Sequence, residues 1–334
     1  MKAVIINQPG TPDVLTLKDV HEPQISSPTE ILVQLKAAGI NPIDTKLRHR
    51  GTFYPDDMPA ILGCDGAGIV QAVGSEVTDF KPGDEVYFFA GGLGKSQTGN
   101  YAQLAVVESH LVAHKPTSLT FAEAAAAPLV LITAWESLYD RGRLENGQKV
   151  LIHGGTGGVG HIAIQLAKLK GADVCVTVGN PDKARLARQF GADETIVYKQ
   201  TDFVQGVLNW TEGKGVDLAF DTVGGKTFFD TCEAVKVYGD LVTILQPDPN
   251  LGNLKIARNR NLSIGLELML TPALMGLVDA QKHQTSILKQ CAKFIDQGQL
   301  KIHLNQTFPL AEAAAAHQLL EQGSMMGKIA LLID

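Results

Sequence analysis

The fold of this chain is decided by the stretch VLIHGGTGGVG, residues 150–160. Its apolar start predicts a buried strand, and the residues that follow, up to 170, predict a helix. Gly155, Gly157 and Gly160 fit the pattern G-x-G-x-x-G between the two. Glycine lets the backbone turn tightly and approach a pyrophosphate, while the amides and positive dipole of the helix start stabilise the anion. The stretch therefore predicts a dinucleotide-binding turn.

Six residues of this turn are candidates for contact with the cofactor. Close packing of the helix on the strand is an alternative reason for the glycines, but five glycines within residues 154–160 carry an entropy cost that packing alone rarely justifies. The nucleoside-triphosphate pattern G-x-x-x-x-G-K-[ST] is absent from the sequence. The candidates are Gly155, Thr156, Gly157, Gly158, Val159 and Gly160.

The end of the next predicted strand indicates which dinucleotide is bound. NAD-binding proteins usually carry an acidic residue about 20 positions further on, where it binds the ribose hydroxyls. Residues 176–181 contain no carboxylate, and Asn180 and Lys183 suit an adenosine 2′-phosphate. We therefore expect NADPH as the cofactor. The alternative is a solvated helix face, which is a strong interpretation for Arg185 and Arg188 and a weaker one for Lys183.

Outward from the turn, strands and helices alternate, which is typical of a parallel sheet with helices on both faces. The predicted strands are residues 149–153, 173–178, 194–198, 216–220 and 240–245, with a candidate sixth strand at 262–266. The predicted helices are residues 159–169, 182–190, 203–210 and 227–235.

Residues 1–120 have a different pattern, with short strands between turns and no long helical period. Helices begin after Thr120, which forms a predicted capping box with Glu123, and a second helix starts at Pro128. The last residues, from 302 on, leave the alternation again, and we expect them to complete the first domain. The predicted domains are residues 1–122 with 298–334, and residues 123–297.

Composition excludes several classes of protein. The 334 residues carry 29 Lys and Arg against 35 Asp and Glu, so the formal charge is −6 and we expect no nucleic-acid partner. Hydrophobic residues make up 45% and charged residues 19%, which excludes a disordered or fibrous protein. The four cysteines lack C-x-x-C spacing, which argues against a disulfide scaffold or a structural zinc module. A signal-peptide core and a long apolar span are both absent, so we expect a cytoplasmic protein without a membrane partner.

Short motifs in order along nearly the whole chain resemble the zinc-independent quinone oxidoreductases of the medium-chain dehydrogenase/reductase superfamily. The resemblance implies an α/β protein with a twisted, GroES-like β domain and a doubly wound Rossmann domain, with its active site in the cleft between them. The matching motifs are AAGINPID at 37–44, LGCDGAGIV at 62–70, FKPGDEV at 80–86, TAW at 133–135, GAD at 191–193, DTVGG at 221–225 and GKI at 327–329.

The resemblance also bears on metal binding, because the same superfamily contains zinc alcohol dehydrogenases. Asn41 stands where those enzymes have a ligating Cys, and Cys64 and Asp65 stand where they have a His-Glu pair. Residues 88–100 contain no Cys, whereas the zinc enzymes carry a four-cysteine lobe there. A catalytic zinc needs three protein ligands and an open position. We therefore expect no metal and interpret Cys64 as a small buried residue.

Without a metal, hydride transfer needs an acceptor whose conjugation spreads charge onto oxygen, such as a quinone or an α,β-unsaturated carbonyl. The candidate catalytic residues are Asn41, Tyr54 and Thr133. Asn41 is either an amide donor to that oxygen or a loop residue that bonds the backbone before Pro42. Tyr54 is a proton donor or, more plainly, a pocket wall, since a phenol with a pKa of ~10 is a poor acid. The resemblance implies that Thr133 contacts nicotinamide or substrate.

The remaining cofactor candidates lie mainly where predicted strands end, because ligands of doubly wound sheets bind at that edge. Lys328 belongs to one of the family motifs. The candidates are Tyr198, Asp221, Val223, Gln246 and Lys328.

Two other functions fit the sequence. A zinc-free reductase of 2-alkenals or enoyl thioesters would have the same elements, and so would a non-catalytic NADPH-binding protein that senses redox state or binds RNA. The acidic charge counts against RNA binding. In the family, the segment 261–270 is an edge strand that pairs across a two-fold axis, which implies a homodimer; core burial is the alternative for this segment.

Overall fold

The computed structural model describes residues 1–95 and 98–334, and it divides the chain into two compact units. Unit 1 comprises Met1–Leu129 and Thr271–Asp334, and unit 2 comprises Val130–Leu270. The strands are β1 (Lys2–Ile6), β2 (Thr16–Asp19), β3 (Glu30–Ile40), β4 (Ala60–Ile61), β5 (Asp65–Val73), β6 (Glu85–Phe89), β7 (Leu104–Glu108), β8 (Val112–His114), β9 (Lys149–His153), β10 (Asp173–Val178), β11 (Glu194–Val197), β12 (Val216–Asp221), β13 (Val235–Thr243), β14 (Ser263–Leu266), β15 (Leu304–Pro309) and β16 (Lys328–Leu332).

The helices connect these strands. They are α1 (Pro42–Arg50), α2 (Phe121–Ala125), α3 (Pro128–Trp135), α4 (Gly158–Leu169), α5 (Pro181–Gln189), α6 (Phe203–Trp210), α7 (Lys226–Ala234), α8 (Lys255–Asn259), α9 (Thr271–Met275), α10 (Val278–Asp296) and α11 (Ala313–Glu321). A π-helical turn, Glu136–Arg141, follows α3 directly. In the described part of the chain, none of the helices is long and apolar enough to cross a membrane.

Unit 2 is built on a six-stranded sheet in the order β11-β10-β9-β12-β13-β14, and all of its strands are parallel. Buried strands such as β9 and β10 are nearly continuous apolar runs, as expected when helices cover both faces. The chain order reverses between β9 and β12, which makes that edge the switch point where ligands of such sheets bind. The predicted Rossmann architecture is confirmed, including the sixth strand.

Unit 1 is a β domain. Its larger sheet has the order β15-β16-β3-β5-β6-β8, with β7 paired to β3, and a smaller sheet has the order β2-β1-β4. Residues of β3 are alternately buried and half-exposed along its first seven positions, which is the period that a one-sided sheet requires. β16 pairs antiparallel with β3, with Ile329 opposite Ile40. The chain's last strands thus return to this sheet, as expected.

Three helices of unit 1, namely α1, α9 and α10, were not predicted. The helix α1 interrupts the region predicted as strands and turns, and its start is marked by Pro42 and by Asp44, whose carboxylate accepts from the Asn41 amide at 2.8 Å. The helix α10 lies in unit 1, where the Tyr87 hydroxyl donates to the Leu288 carbonyl at 2.6 Å. The compact units therefore end at different residues from the domain boundaries 122 and 298, which stay a prediction.

The capping box at the start of α2 is confirmed. The Glu123 amide donates to the Thr120 hydroxyl at 3.3 Å, and the Thr120 amide donates to the Glu123 carboxylate at 2.9 Å. The four cysteines, Cys64, Cys175, Cys232 and Cys291, are all buried, and burial raises the pKa of each thiol.

Candidate functional site

The glycine turn of unit 2 joins the end of β9 to the start of α4. Gly154 has a φ of 66°, in the left-handed region that favours glycine. A Cβ at Gly155 would lie 2.7 Å from the Cβ of Val176, and one at Gly160 would lie 2.2 Å from the carbonyl oxygen of Gly154. Three of the glycines are thus required by the backbone path and by the close approach of α4 to the strand.

The same turn presents the start of a helix to solvent at the switch point of the sheet. α4 has twelve residues, so its aligned peptide dipoles favour an anion at Gly158 and Val159. The first amides of a helix have no partner within it and are free to bind phosphate oxygens. Thr156 is buried within the turn. The residues present fit a dinucleotide pyrophosphate, as the sequence predicts.

His153, the last residue of β9, is a buried structural histidine. Its Nδ1 is 2.9 Å from the Thr177 hydroxyl and its Nε2 is 2.8 Å from the Thr231 hydroxyl. Burial lowers the pKa of His153 to about 4, so the ring is neutral at physiological pH. Both nitrogens are used in joining β9 to β10 and α7.

A second group of predicted residues lies together at the end of β10. The side-chain oxygen of Asn180 accepts from the Lys183 amide at 2.9 Å and so caps α5. Lys183 is half-buried, and burial together with the charge of Lys199 lowers the pKa of its ammonium. Tyr198 is exposed, and its hydroxyl is 3.3 Å from where a Cβ of Gly179 would lie. Two ammonium groups, those of Lys183 and Lys199, thus lie close enough to repel each other beside Asn180.

Lys199 was not among the candidates from the sequence. The sequence gives little reason to select Lys199, because it is one of many lysines and simply follows the predicted strand 194–198. Only the parallel pairing of β10 with β11 brings residues 198 and 199 to the strand end that carries Asn180.

At the end of β12, the structure separates the predicted residues. The Asp221 carboxylate is buried and accepts from the amides of Val223 and Gly224 at 2.9 Å each and from the Thr243 hydroxyl at 2.9 Å. These bonds close the turn and join β12 to β13, so the Asp221 side chain is structural. Val223 and Gln246, by contrast, are exposed.

In unit 1, the motifs at 37–44, 62–70 and 327–329 meet in a buried polar cluster around Asn41. Its side-chain nitrogen donates to Oδ2 of Asp65 at 2.8 Å, and its side-chain oxygen accepts from the Lys328 ammonium. Lys328 also donates to the Ile40 carbonyl at 2.8 Å. Asn41, Asp65 and Lys328 are at most 2% exposed. The Lys328 side chain thus bonds residues of unit 1, and its contact with the cofactor stays a prediction.

Two carboxylates share this cluster with one ammonium. Burial raises the pKa of Asp65 to about 7 and that of Asp44 to about 6, although Lys328 acts in the opposite direction on both. Burial lowers the pKa of Lys328, whereas the two carboxylates raise it. The thiol of Cys64 lies 3.6 Å from Oδ1 of Asp44, and burial and the two acids raise its pKa.

This cluster does not fit a zinc ion. The oxygen of Asn41 that would face a metal already accepts from a cation, and the thiol of Cys64 is held in its protonated form. A thiol must lose its proton to bind zinc. Within residues 1–95 and 98–334, no group of three or more His, Cys, Asp and Glu side chains has the arrangement of a metal site.

The other two catalytic candidates, Tyr54 and Thr133, lie on different elements. Tyr54 is half-buried in the loop between α1 and β4, where its amide donates to the Thr52 hydroxyl at 3.3 Å. In the described part of the chain, the Tyr54 phenol has no hydrogen-bond partner. Thr133 is buried on α3, five positions after Pro128.

Comparison with known proteins extends these findings. The model of the alcohol dehydrogenase GroES-like domain matches residues 27–117, and that of zinc-binding dehydrogenases matches residues 190–331. Over 325 residues, 97% of each chain, the sequence is 37% identical to a quinone oxidoreductase of Pseudomonas aeruginosa. A solved alcohol dehydrogenase superfamily protein from Novosphingobium aromaticivorans is 34% identical, with a TM-score of 0.91 over 100% of both chains. The quinone oxidoreductase of Escherichia coli complexed with NADPH is 30% identical, with a TM-score of 0.85 over 100% of both chains.

The identity and the coverage extend over both units, and the glycine turn supplies the site that a nicotinamide dinucleotide needs. The protein is an oxidoreductase that uses a nicotinamide cofactor and a small-molecule substrate. The chain belongs to the quinone oxidoreductases of the medium-chain dehydrogenase/reductase superfamily.

Proposed function

We propose that this oxidoreductase transfers a hydride from NADPH to a quinone or an α,β-unsaturated carbonyl compound, and that it does so without a metal ion. The observation that carries the choice of NADPH is the pair Lys183 and Lys199 beside Asn180 at the end of β10. A 2′-phosphate would reduce the repulsion between the two ammonium groups, whereas a bare ribose would leave it in place.

The proposal of a metal-free reaction rests on Lys328. The Lys328 ammonium donates to the side-chain oxygen of Asn41, and the side-chain nitrogen of Asn41 donates to Asp65. Both ends of the Asn41 amide are therefore bonded within the protein. Because Asn41 is fully buried, we propose that it positions its neighbours and does not contact the acceptor. This replaces the amide-donor role considered from the sequence.

The bound nicotinamide supplies the hydride, and the acceptor takes one further proton from solvent to give the reduced product. The chain contributes orientation and exclusion of water. The Tyr54 phenol, which bonds no other described side chain, forms a wall of the pocket and can bond an acceptor oxygen. Thr133 holds the nicotinamide or the acceptor from α3. The glycine turn binds the pyrophosphate, and Tyr198 covers the adenosine.

The test is the steady-state oxidation of NADPH and of NADH with para-benzoquinone, a naphthoquinone and a 2-alkenal, each with and without a chelator. We expect chelator-insensitive turnover with NADPH preferred. Loss of turnover with the chelator would refute the metal-free proposal. Faster turnover of the 2-alkenal than of either quinone would assign the enzyme to the enone branch, and NADPH binding without turnover of any acceptor would indicate a sensor.

A single substitution tests the proposed preference for NADPH over NADH. Lys183→Glu should raise KM for NADPH by at least about tenfold, the usual effect of removing one charge-assisted bond to phosphate, and leave KM for NADH nearly unchanged. Arg188→Glu is the matched control, since Arg188 is exposed on the same helix. Equal effects of the two variants would mean that only the general charge of α5 matters.

We also propose a homodimer. β14 is an edge strand that pairs only with β13 among the described strands, and Leu266 and Leu268 at its end are more than half exposed. Exposed apolar edges invite pairing with another chain. Light scattering on the purified protein should give twice the mass of one chain, and Leu266→Lys should shift it toward the monomer.

A further inference from the structure

Asp65 joins the buried cluster of unit 1 to the start of a helix. Its Oδ2 accepts from the Asn41 side chain at 2.8 Å, and its Oδ1 accepts from the Leu129 amide at 3.0 Å. Leu129 is the second residue of α3, so this amide is one of the four that a helix leaves without an internal acceptor. A carboxylate at this point bonds the free amide and also interacts favourably with the positive end of the helix dipole.

The Asn41 amide has only one orientation that satisfies both neighbours. Its nitrogen must face the Asp65 carboxylate, and its oxygen must face the Lys328 ammonium. The Asn41 amide is therefore held with the positive end of its dipole toward the Asp65 carboxylate. Together with the charge of Lys328, this dipole offsets the cost of burying the carboxylate.

The groups that face Asp65 are known from each neighbouring element. They are Asp44 on α1, Cys64 beside Asp65 in the chain, Lys328 on β16, the phenol of Tyr101 and the Leu129 amide on α3. Of these, only Lys328 is a cation. Two acids with one cation in a buried cluster favour a state in which only one of the acids is ionised.

We propose that Asp65 is a positioning residue, which holds the first turn of α3 and hence the helix that carries Thr133, and that its hold depends on the Asn41–Lys328 pair and on its own ionisation. The effect of Asp65 on catalysis through Thr133 rests on the proposed function. Its effect on the first turn of α3 does not. Protonation of Asp65 weakens the bond to Leu129, because a neutral carboxyl is a poorer acceptor than a carboxylate and has no charge to interact with the helix dipole. The ionisation falls near neutrality, in keeping with the raised pKa of Asp65.

An isosteric variant tests the orientation directly. Asp65→Asn keeps the oxygen that accepts from Leu129, but its new NH₂ group faces the NH₂ group of Asn41. Either two donors then oppose each other, or one amide flips and gives up Leu129 or Lys328. The exchanged pair Asn41→Asp with Asp65→Asn restores an acceptor at each donor and keeps the net charge. It should therefore recover the part of the loss that comes from the opposed donors, but not the part that comes from the missing charge at the Leu129 amide.

The first measurement is amide hydrogen exchange of the peptide 128–135 by mass spectrometry. We expect exchange in Asp65→Asn to be faster by about tenfold, because both the charge-assisted bond to Leu129 and the matched orientation of the amides are lost, and to return only part of the way in the exchanged pair, which restores the orientation but keeps a neutral acceptor at Leu129. Asp44→Asn is the matched control, because Asp44 is equally buried but does not bond Leu129. Unchanged exchange in Asp65→Asn, or an equal change in Asp44→Asn, would overturn the proposal.

The second measurement is the fluorescence of Trp135, and it leaves the buried cluster around Asn41 and Asp65 unsubstituted. The chain has two tryptophans, of which Trp135 ends α3, so Trp210→Phe leaves one fluorophore that reports on this helix. The emission of Trp135 should titrate with a midpoint near neutral pH, and a flat profile would overturn the proposed dependence on ionisation even if Asp65→Asn did not fold. In a folded Asp65→Asn background this transition should vanish.

Turnover then separates this proposal from the proposed function. Asp65→Asn should lower kcat by about tenfold while the Kd for NADPH stays within about twofold, since the glycine turn keeps its geometry. The exchange and fluorescence results do not depend on turnover. An enzyme inactive with every acceptor would therefore refute the proposed function and leave the role of Asp65 at α3 to be decided by those two measurements.

Discussion

A Cβ added to Gly160 would lie 2.2 Å from the carbonyl oxygen of Gly154, whereas the nearest atom to a Cβ at Gly157 is that same oxygen at 3.3 Å. The two positions belong to one motif but differ in the space that the backbone leaves them. α4 approaches the turn most closely at Gly160, and no side chain fits without moving the helix away from β9.

Gly160→Ala should therefore destabilise unit 2 and abolish NADPH binding. Overpacking against backbone typically costs about 1–3 kcal/mol, and here the atom cannot move without the helix. Gly157→Ala is the control and should cost less than about 1 kcal/mol in urea unfolding. Equal stability of the two variants would contradict the assignment of the closest packing to Gly160.

The Asp221 carboxylate should matter to folding more than to cofactor affinity. Asp221→Ala removes three hydrogen bonds and leaves the Val223 and Gly224 amides and the Thr243 hydroxyl without their acceptor. We expect a loss of about 3 kcal/mol in the free energy of unfolding, against about 1 kcal/mol for Thr243→Val. The Kd for NADPH of the folded variant should stay within about threefold. A large loss of affinity with unchanged stability would return Asp221 to the cofactor contacts.

The buried acids of unit 1 predict a pH dependence of stability. The pKa of Asp44 is about 6 in the folded chain, above its ordinary value of 3.8, so the folded state binds more protons than the unfolded one between these two pH values. Stability from this group must therefore fall as pH rises from about 4 to 6, by about 3 kcal/mol in total. Urea unfolding of the parent and of Asp44→Asn across this window measures the difference.

The comparison with the variant is needed because two histidines act in the opposite direction. Burial lowers the pKa of His153 to about 4 and that of His317 to about 3, so both favour folding as pH rises. Their contribution is common to parent and variant and cancels in the difference. A difference that does not change with pH would mean that Asp44 titrates in the folded chain as it does in water.

Lys328 should be among the most sensitive lysines of the chain. Lys328→Met leaves the acids Asp44 and Asp65 without a cation, and breaking a buried ion pair from one side typically costs about 3–5 kcal/mol. The loss should be larger at pH 8 than at pH 5, where the acids are protonated. Lys226→Met, whose exposed ammonium pairs with Asp230, is the control and should cost less than about 1 kcal/mol. Urea unfolding at both pH values measures this.

Sequence reasoning found the parts of the molecule that follow from local rules. The turn at 154–160, the capping box of Thr120 and the alternation of strands and helices each depend on neighbours in the chain, and the structure contains all three. The helix α1 was missed although Pro42, Asp44 and the basic residues at its end mark it, because short strands on either side set the interpretation of the region.

The roles of single polar side chains were harder to predict, since they depend on contacts between distant segments. Lys328 was assigned to the cofactor, but the pairing of β16 with β3 brings it to Asn41, 287 positions away in sequence. Asp221 stands at a strand end, where ligands often bind, and only the structure shows that its oxygens are already used. Asp65 was noted for standing where zinc enzymes have the Glu of a His-Glu pair, and its bond to Leu129 could not be foreseen from spacing.

The burial of all four thiols has a consequence for the proposed quinone or enone acceptor. Quinones and enones are Michael acceptors, and thiolates add to them covalently. Because burial raises the pKa of Cys64, Cys175, Cys232 and Cys291, hardly any thiolate forms, and none of the four sulfurs lies at the surface to meet the compound. An acceptor of the proposed class would therefore meet no reactive thiolate on this chain during turnover.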